Sequence, residues 1–101
     1  MLYDKILKAH DLKDIKAFEE ILHDDFVYMW GERVENRRQW PTETPKMWEQ
    51  GIQLNKQTLI MENEDLLVTE HPDADQGFRD KIVRILQSGE VIKRYVTRLS
   101  L

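Results

Sequence analysis

The sequence predicts an α+β fold in which helices come first and a run of antiparallel strands comes last. Apolar residues recur at helical spacing as far as residue 22. An uninterrupted apolar and aromatic run at 26–30 has strong strand propensity. Four extended segments joined by turn signals then fill residues 54–99. These observations predict helices packed on an antiparallel sheet, in the order α-α-β-α-β-β-β-β, within a single domain of residues 1–101.

Two helices are predicted at the start of the chain. The first spans residues 1 to about 9, because Leu2, Ile6 and Ala9 share one helical face. Asp11 is the predicted N-cap of the second, since a short polar side chain accepts a hydrogen bond from the first free backbone N–H groups. The apolar face of the second helix then consists of Leu12, Ile15, Phe18 and Leu22.

The middle of the chain contains one strand and one helix. Residues 26–30 include no polar side chain, so both faces of this strand are expected to be covered. Gly31 ends the strand, and the charged segment 32–39 is predicted to be a solvated connection. A third helix follows, with Thr44 as its cap, Pro45 at its first position and Gly51 just beyond its end.

The second half of the chain is predicted to form strands at 54–62, 65–71, 78–87 and 90–99. Turns are expected at 63–64 and 88–89, with a loop at 72–77. A two-residue turn at 88–89 pairs Gln87 with Glu90 and Ile85 with Ile92. Neither face of this hairpin is purely polar, which favours helices on one side of the sheet and a partner on the other. The chain is therefore predicted to form a homodimer through the sheet.

Composition excludes several classes of protein. A net charge of −4 and a pI near 5.3 do not provide the cationic surface that nucleic-acid binding requires. The absence of cysteine excludes disulfides and thiolate chemistry, and no apolar run has the ~20 residues that cross a bilayer. No signal peptide is evident, so a cytoplasmic protein is expected. The three histidines form no metal-ligand motif, and Asp73 and Asp75 lack the other ligands of a calcium loop, so neither metal nor cofactor is expected.

Three local patterns accompany this order of elements. A helix runs into the pair Asp24-Asp25 and an aromatic strand, an Arg-x-x-Trp stands at 37–40, and the closing hairpin at 85–94 has glycine in its turn. In these features the chain resembles the nuclear transport factor 2-like superfamily, which includes ketosteroid isomerase, scytalone dehydratase and SnoaL-like polyketide cyclases. The resemblance implies a curved sheet that wraps around a long helix, an apolar pocket at the open end of the cone, and dimers through the sheet.

An isomerase or lyase in such a cone needs a proton carrier and a donor for the developing oxyanion. Asp25, at the mouth of the first strand, and His71, at the end of a later strand, are the candidate catalytic residues. Each also has a simpler interpretation, Asp25 as a residue that ends a helix and His71 as a surface residue. The candidate ligand contacts are Tyr28, Trp30, Trp48 and Tyr95, and the simpler interpretation of Tyr28 and Trp30 is that they are core aromatics.

Other side chains are assigned structural roles. Trp40, Met47 and Trp48 either form a pocket wall or close the core. Arginines are balanced by acids and are interpreted as solvated or interface residues; they are Arg37, Arg38, Arg94 and Arg98.

Three functions stay open at this point. The first is a binding module with a mostly apolar cavity for a small apolar or carbonyl-bearing molecule, without turnover. The second is a small lyase or isomerase of the SnoaL-like or ketosteroid isomerase-like type. The third is a structural or dimerisation domain whose cavity is filled by its own side chains.

Overall fold

The computed structural model describes residues 2–39, 43–73 and 77–100, which contain three helices and six strands. The helices are α1 (Leu2–Leu12), α2 (Ile15–Ile21) and α3 (Glu43–Glu49). The strands are β1 (Leu22–Trp30), β2 (Arg33–Asn36), β3 (Thr58–Glu62), β4 (Leu66–Asp73), β5 (Phe78–Gln87) and β6 (Glu90–Ser100). Trp40, Pro41 and Asp75 lie outside the described residues, and so does the side chain of Trp30.

The strands form one curved, unclosed sheet in the order β2-β1-β6-β5-β4-β3. This arrangement confirms the predicted α+β class with helices packed on a curved sheet. The prediction of a purely antiparallel sheet is corrected, because β1 pairs with β6 in parallel. The first strand enters the sheet beside the last one, and such a long-range pairing leaves no local signal in the sequence.

The first half of the chain differs from the prediction in its boundaries. Helix α1 extends to Leu12 and ends at Lys13, which has a positive φ of 52°. Asp14, not Asp11, caps α2, since its Oδ1 accepts a hydrogen bond from the backbone N–H of Ala17 at 3.2 Å. Strand β1 begins at Leu22, four residues before the predicted start at residue 26.

Strand β2 lies within the segment predicted to be a solvated connection. Gly31, with φ of +56°, allows the tight turn that brings Arg33 opposite Trp30 and Asn36 opposite Val27. The strand is at the edge of the sheet, where charged residues are common because they discourage pairing with other chains. Its polar composition gives it no hydrophobic pattern, so the sequence did not predict it as a strand.

The core lies where α1 and α2 pack on the sheet. Phe26 and Leu67 are almost completely buried, with exposed fractions of 1% and 0%. The other members of this cluster are Ile6, Ala9, Phe18, Leu22 and Val91. Among the residues that the structure describes, no helix combines the length and the apolar character needed to span a bilayer.

The hairpin of β5 and β6 has the predicted turn but a shifted register. Gln87 pairs with Glu90 as predicted. An irregularity between Ile85 and Leu86 then places Lys93, instead of Ile92, opposite Ile85. Because side chains alternate between the two faces of a strand, a shift of one residue exchanges the faces of β6. Arg94 and Val96 consequently face the helices.

The region before β4 contains a loop and a turn. Strand β3 begins at Thr58, not at the predicted residue 54. Residues 50–57, which follow helix α3, contain turns. The predicted turn at 63–64 is confirmed, because Asn63 Oδ1 accepts hydrogen bonds from the backbone N–H groups of Asp65 and Leu66, both at 2.8 Å.

Candidate functional site

A cavity of about 250 Å³ lies between the helices and the concave face of the sheet. Its apolar side consists of Met47, Leu54, Ile82 and Val96. The remaining lining residues that the structure describes are polar or charged in type, but the apolar carbons of the lining make up the larger part of the wall. The bulge in the last hairpin brings arginines of β6 inward.

Two ion pairs occupy the wall of the cavity. Arg33 and Glu35 pair with each other on β2. Arg98 on β6 donates to Asp80 on β5 through Nε at 3.0 Å and Nη2 at 3.4 Å. Each of these carboxylates is mostly buried, with exposed side-chain fractions of 11% for Glu35 and 16% for Asp80. The charges of this wall are thus held in fixed positions.

Arg94 and Tyr28 form the third polar feature of the wall. The Arg94 guanidinium carbon lies 4.8 Å from the centre of the Tyr28 ring. Burial lowers the pKa of Arg94, whereas electrostatic attraction to the Tyr28 oxygen, a side-chain hydrogen bond to Tyr28 and the charge of Asp80 act in the opposite direction. A guanidinium has only donors, so the Tyr28 oxygen is the acceptor in that hydrogen bond. The phenolic O–H therefore stays available to donate to a ligand.

Glu35 has one buried oxygen without a hydrogen-bond partner among the described residues. Its Oε1 pairs with Arg33, whereas Oε2 is buried and has no hydrogen-bond partner among the described residues. Buried polar atoms without a partner are uncommon, and a catalytic role or a bound water or ion is among the explanations for one. A ligand that brings a hydroxyl or an acidic C–H to this oxygen would give it a partner.

His71 faces the same cavity from β4. Its Nε2 lies 3.0 Å from the carbonyl oxygen of Gln53. A carbonyl oxygen only accepts, so Nε2 carries a proton and donates to it. His71 is also paired in register with Asp80, a second residue of the lining.

His10, on α1, closes the inner end of the cavity. It is 8% exposed, and its Nδ1 accepts a hydrogen bond from Trp48 Nε1 at 3.3 Å. Its pKa is lowered to about 3, first by burial and then by the charges of Arg84 and Arg94 and by His71. The ring is therefore neutral near pH 7, with its proton on Nε2.

The lowered pKa of His10 makes stability depend on pH. The unfolded chain binds a proton near pH 6.5, whereas the folded chain does so only near pH 3. The neutral ring thus makes its full contribution to the free energy of unfolding above pH 6.5, and this contribution is lost as the pH falls toward 3. Between pH 7 and pH 5 this loss amounts to about 2 kcal/mol.

We expect His10→Gln to remove this part of the pH dependence. When the pH is lowered from 7 to 5, the free energy of unfolding measured in urea should fall by about 2 kcal/mol more in the wild type than in the variant. Leu12→Gln, at a 65% exposed position of the same helix, is the matched control and should retain the wild-type slope. Equal losses of unfolding free energy in the wild type and His10→Gln would contradict the assignment of a neutral His10 ring to the folded state.

A buried polar network supports the floor of the site. Arg84 is 4% exposed and donates through Nη1 to Thr69 Oγ1 at 3.0 Å and through Nη2 to Gln57 Oε1 at 3.2 Å. Thr69 also donates to Gln57 Oε1 at 2.7 Å. The backbone oxygen of Gln57 accepts from the Tyr3 hydroxyl at 2.5 Å. Gln57 therefore connects α1, β4 and β5.

Only part of the predicted site is brought together. Tyr28 and His71 both line the cavity. Trp48 packs behind it, where it donates to His10 and lies 6.1 Å from the Phe18 ring. Tyr95 is on the outer face of the sheet, because its neighbours in sequence line the cavity and successive residues of a strand alternate.

Asp25 is exposed and does not line the cavity. Its backbone N–H donates to His23 Nδ1 at 3.0 Å, which fixes the local turn of the chain. The structure therefore gives Asp25 no contact with the other candidate residues. The carboxylates that do reach the cavity, Glu35 and Asp80, were not identified from the sequence.

The arginines interpreted as solvated differ in position. Arg94 and Arg98 line the cavity. Arg37 instead donates to the backbone oxygens of Glu19 and Leu22, where α2 meets β1. The signal that could have identified the first two is the pattern of alternate charges around Val96, which becomes informative only once the register is known. Among the described residues, no group of three or more histidines, cysteines or acids is arranged to hold a metal ion.

Fold and cavity together define an α+β domain with a curved, unclosed sheet around a cavity lined by apolar and charged side chains. Comparison with solved structures identifies this architecture as the nuclear transport factor 2-like fold. An NTF2-like protein of unknown function from Cytophaga hutchinsonii aligns with a TM-score of 0.66 at 14% identity, over 94% of this chain and 84% of that one. No protein-family model and no curated protein sequence matches the chain.

Two candidate polyketide cyclases share the fold. IdmH from Streptomyces antibioticus has a TM-score of 0.59 and 13% identity, over 94% of this chain and 89% of that one. A protein from Sinorhizobium meliloti has a TM-score of 0.54 and 9% identity, over 92% and 90% of the two chains. At these identities the likeness extends to the fold, which hosts many unrelated functions.

Proposed function

We propose that the domain binds a small molecule with a carbonyl or carboxylate oxygen in the cavity of about 250 Å³. One observation supports this most: Arg94 and Tyr28 present hydrogen-bond donors beside the apolar side chains of Ile82 and Val96, on the same face of the sheet. Donors beside an apolar surface suit a ligand with an oxygen at one end and a carbon skeleton at the other. The volume is slightly below the ~300 Å³ of ordinary ligand sites, which favours a small metabolite.

Charge favours an oxygen ligand over a purely apolar one. Three arginines line the cavity against two carboxylates, Glu35 and Asp80. His10 is neutral near pH 7, so it does not add to the positive charge. An apolar ligand would bury the Arg94 guanidinium and the Tyr28 hydroxyl without giving either a new partner, which carries a desolvation cost.

The test uses 2-oxo acids of three to eight carbons, each compared with the alcohol of the same carbon skeleton. We expect one or more acids, but not the alcohols, to raise Tm and to bind in calorimetry. Tyr28→Phe should weaken the best acid roughly 10-fold, since a hydrogen bond to a charged group contributes about 1.5 kcal/mol.

Tyr95→Phe is the matched control for Tyr28→Phe, because it removes the same hydroxyl from the outer face of the sheet. Its affinity should equal that of the wild type. Equal weakening by both variants would contradict the placement of the ligand, and a series in which no acid binds would contradict the ligand class.

A second candidate function is a lyase or isomerase that acts in the same cavity. The buried Oε2 of Glu35, which has no hydrogen-bond partner among the described residues, favours it. In this mechanism Glu35 removes a proton next to the ligand carbonyl, and Tyr28 and Arg94 stabilise the oxyanion that forms. His71 is the alternative base, through Nδ1. The predicted homodimer stays a prediction.

A further inference from the structure

A second, much smaller cavity lies in the core beneath α1 and α2. Its volume is about 20 Å³. Most of its wall is apolar and includes Ile6, Phe18 and Val91, but Arg84 and Arg94 also border it, together with His10. A space of this size accommodates one water molecule or one monatomic ion. Two guanidinium groups are an unusual lining for such a space in a hydrophobic core.

The two arginines are direct neighbours across the sheet. Arg84 on β5 is opposite Arg94 on β6 in the antiparallel register. Residues directly opposite each other have Cβ atoms roughly 5 Å apart, and like charges in that relation repel. Arg84 is 4% exposed, so water does little to weaken the repulsion.

The hydrogen-bond partners of Arg84 are neutral. They are Thr69 Oγ1 and Gln57 Oε1, and no carboxylate lies within ion-pair distance of Arg84 among the described residues. The charge of Asp80 acts on Arg94, but this carboxylate is already ion-paired with Arg98. A positive charge at Arg84 therefore lacks a close counterion within the described part of the chain.

We propose that the small cavity binds a monovalent anion between Arg84 and Arg94. The guanidinium of Arg84 has five N–H donors and uses two of them on Thr69 and Gln57. The neutral His10 ring provides another N–H through Nε2. An anion at this point removes the repulsion between the two arginines, which a water molecule does not. Arg94 and His10 also line the larger cavity, but the anion site does not require a ligand there.

Thermal unfolding in different sodium salts tests the proposal. Chloride, bromide or formate replaces gluconate at constant ionic strength, since gluconate is too large for the cavity. We expect a rise in Tm that follows the logarithm of the anion concentration above its Kd and reaches roughly 5–10 °C at ten times the Kd. A response to chloride and bromide supports the proposal, whereas a response to formate alone overturns it, because a carboxylate of three heavy atoms exceeds a cavity of about 20 Å³. Identical Tm values in all four salts overturn the proposal.

Gln57→Glu separates a specific site from a general salt effect. The new carboxylate takes the position from which Gln57 Oε1 accepts from Arg84 at 3.2 Å, so it supplies the missing negative charge within the protein. The anion-dependent rise in Tm should disappear in this variant. Arg79→Gln, which removes an exposed arginine from β5, the strand that contains Arg84, should retain the anion-dependent rise in Tm. A rise that persists in Gln57→Glu overturns the proposal.

Crystals of the wild type grown in bromide give a test that does not depend on any variant. An anomalous peak is expected between the guanidinium groups of Arg84 and Arg94. Peaks at the surface alone, with none in the core, overturn the proposal.

Discussion

Gln57→Ala is expected to lower the free energy of unfolding by about 3 kcal/mol, because Arg84 then loses one of its two hydrogen-bond partners inside the core. The variant also removes the acceptor of the Thr69 hydroxyl and the amide that donates to the Leu54 carbonyl at 2.7 Å. Urea unfolding at pH 7 measures the change directly.

The control for Gln57→Ala is Gln53→Ala, at an exposed position in the same loop. The backbone oxygen of Gln53 accepts from His71, and this contact survives the truncation of the side chain. Its effect should lie within about 0.5 kcal/mol of zero. Similar losses for the two variants would show that the network around Arg84 contributes little.

Glu35→Gln is expected to lower turnover by roughly 10²–10⁴-fold if the cavity carries out the second candidate reaction. An amide has the size of the carboxylate but does not accept a proton at neutral pH. The assay follows exchange of the C3 hydrogens of 2-oxobutanoate for deuterium by NMR, in the presence and absence of protein. Affinity for the same acid should change much less than turnover, which separates a base from a binding residue.

Glu32→Gln is the matched control, since it makes the same substitution at an exposed position of the adjacent turn. Glu32→Gln should catalyse the exchange of the C3 hydrogens as fast as the wild type does. Exchange at the buffer rate in the wild type would exclude this reaction for that probe and leave binding as the proposed function.

Asp25→Asn and His71→Gln test the assignments made from the sequence. The structure places His71 in the cavity and Asp25 outside it, on the exposed side of β1. If His71→Gln loses the hydrogen-exchange activity and Glu35→Gln retains it, the base is the imidazole of His71. Loss in Asp25→Asn alone would contradict the cavity as the site of reaction.

Local signals explain which parts of the fold were predictable. Apolar spacing predicted the first two helices, and the 88–89 turn predicted the pairing of Gln87 with Glu90. The parallel pairing of β1 with β6 joins residues far apart in sequence, and the polar edge strand β2 has no hydrophobic pattern. Neither feature is visible in a short window of sequence.

The site was less predictable than the fold because it depends on which face of a strand a residue occupies. Tyr28 and His71 were named as candidates from their residue types and their places in strands, and both line the cavity. The irregularity between Ile85 and Leu86 placed Arg94 inside and Tyr95 outside, contrary to the predicted register. Glu35 was missed for a different reason, because its strand was not recognised.

The same irregularity has an evolutionary consequence. Insertion of a single residue between Ile92 and Lys93, with the irregularity retained, would present Lys93, Tyr95, Thr97 and Leu99 to the interior in place of the arginines. A one-codon insertion would thereby convert a compartment lined by guanidinium groups into one lined by an ammonium, a phenol, a hydroxyl and an aliphatic chain. Domains with this architecture can thus acquire a new ligand preference by a change in length, before any amino acid is replaced.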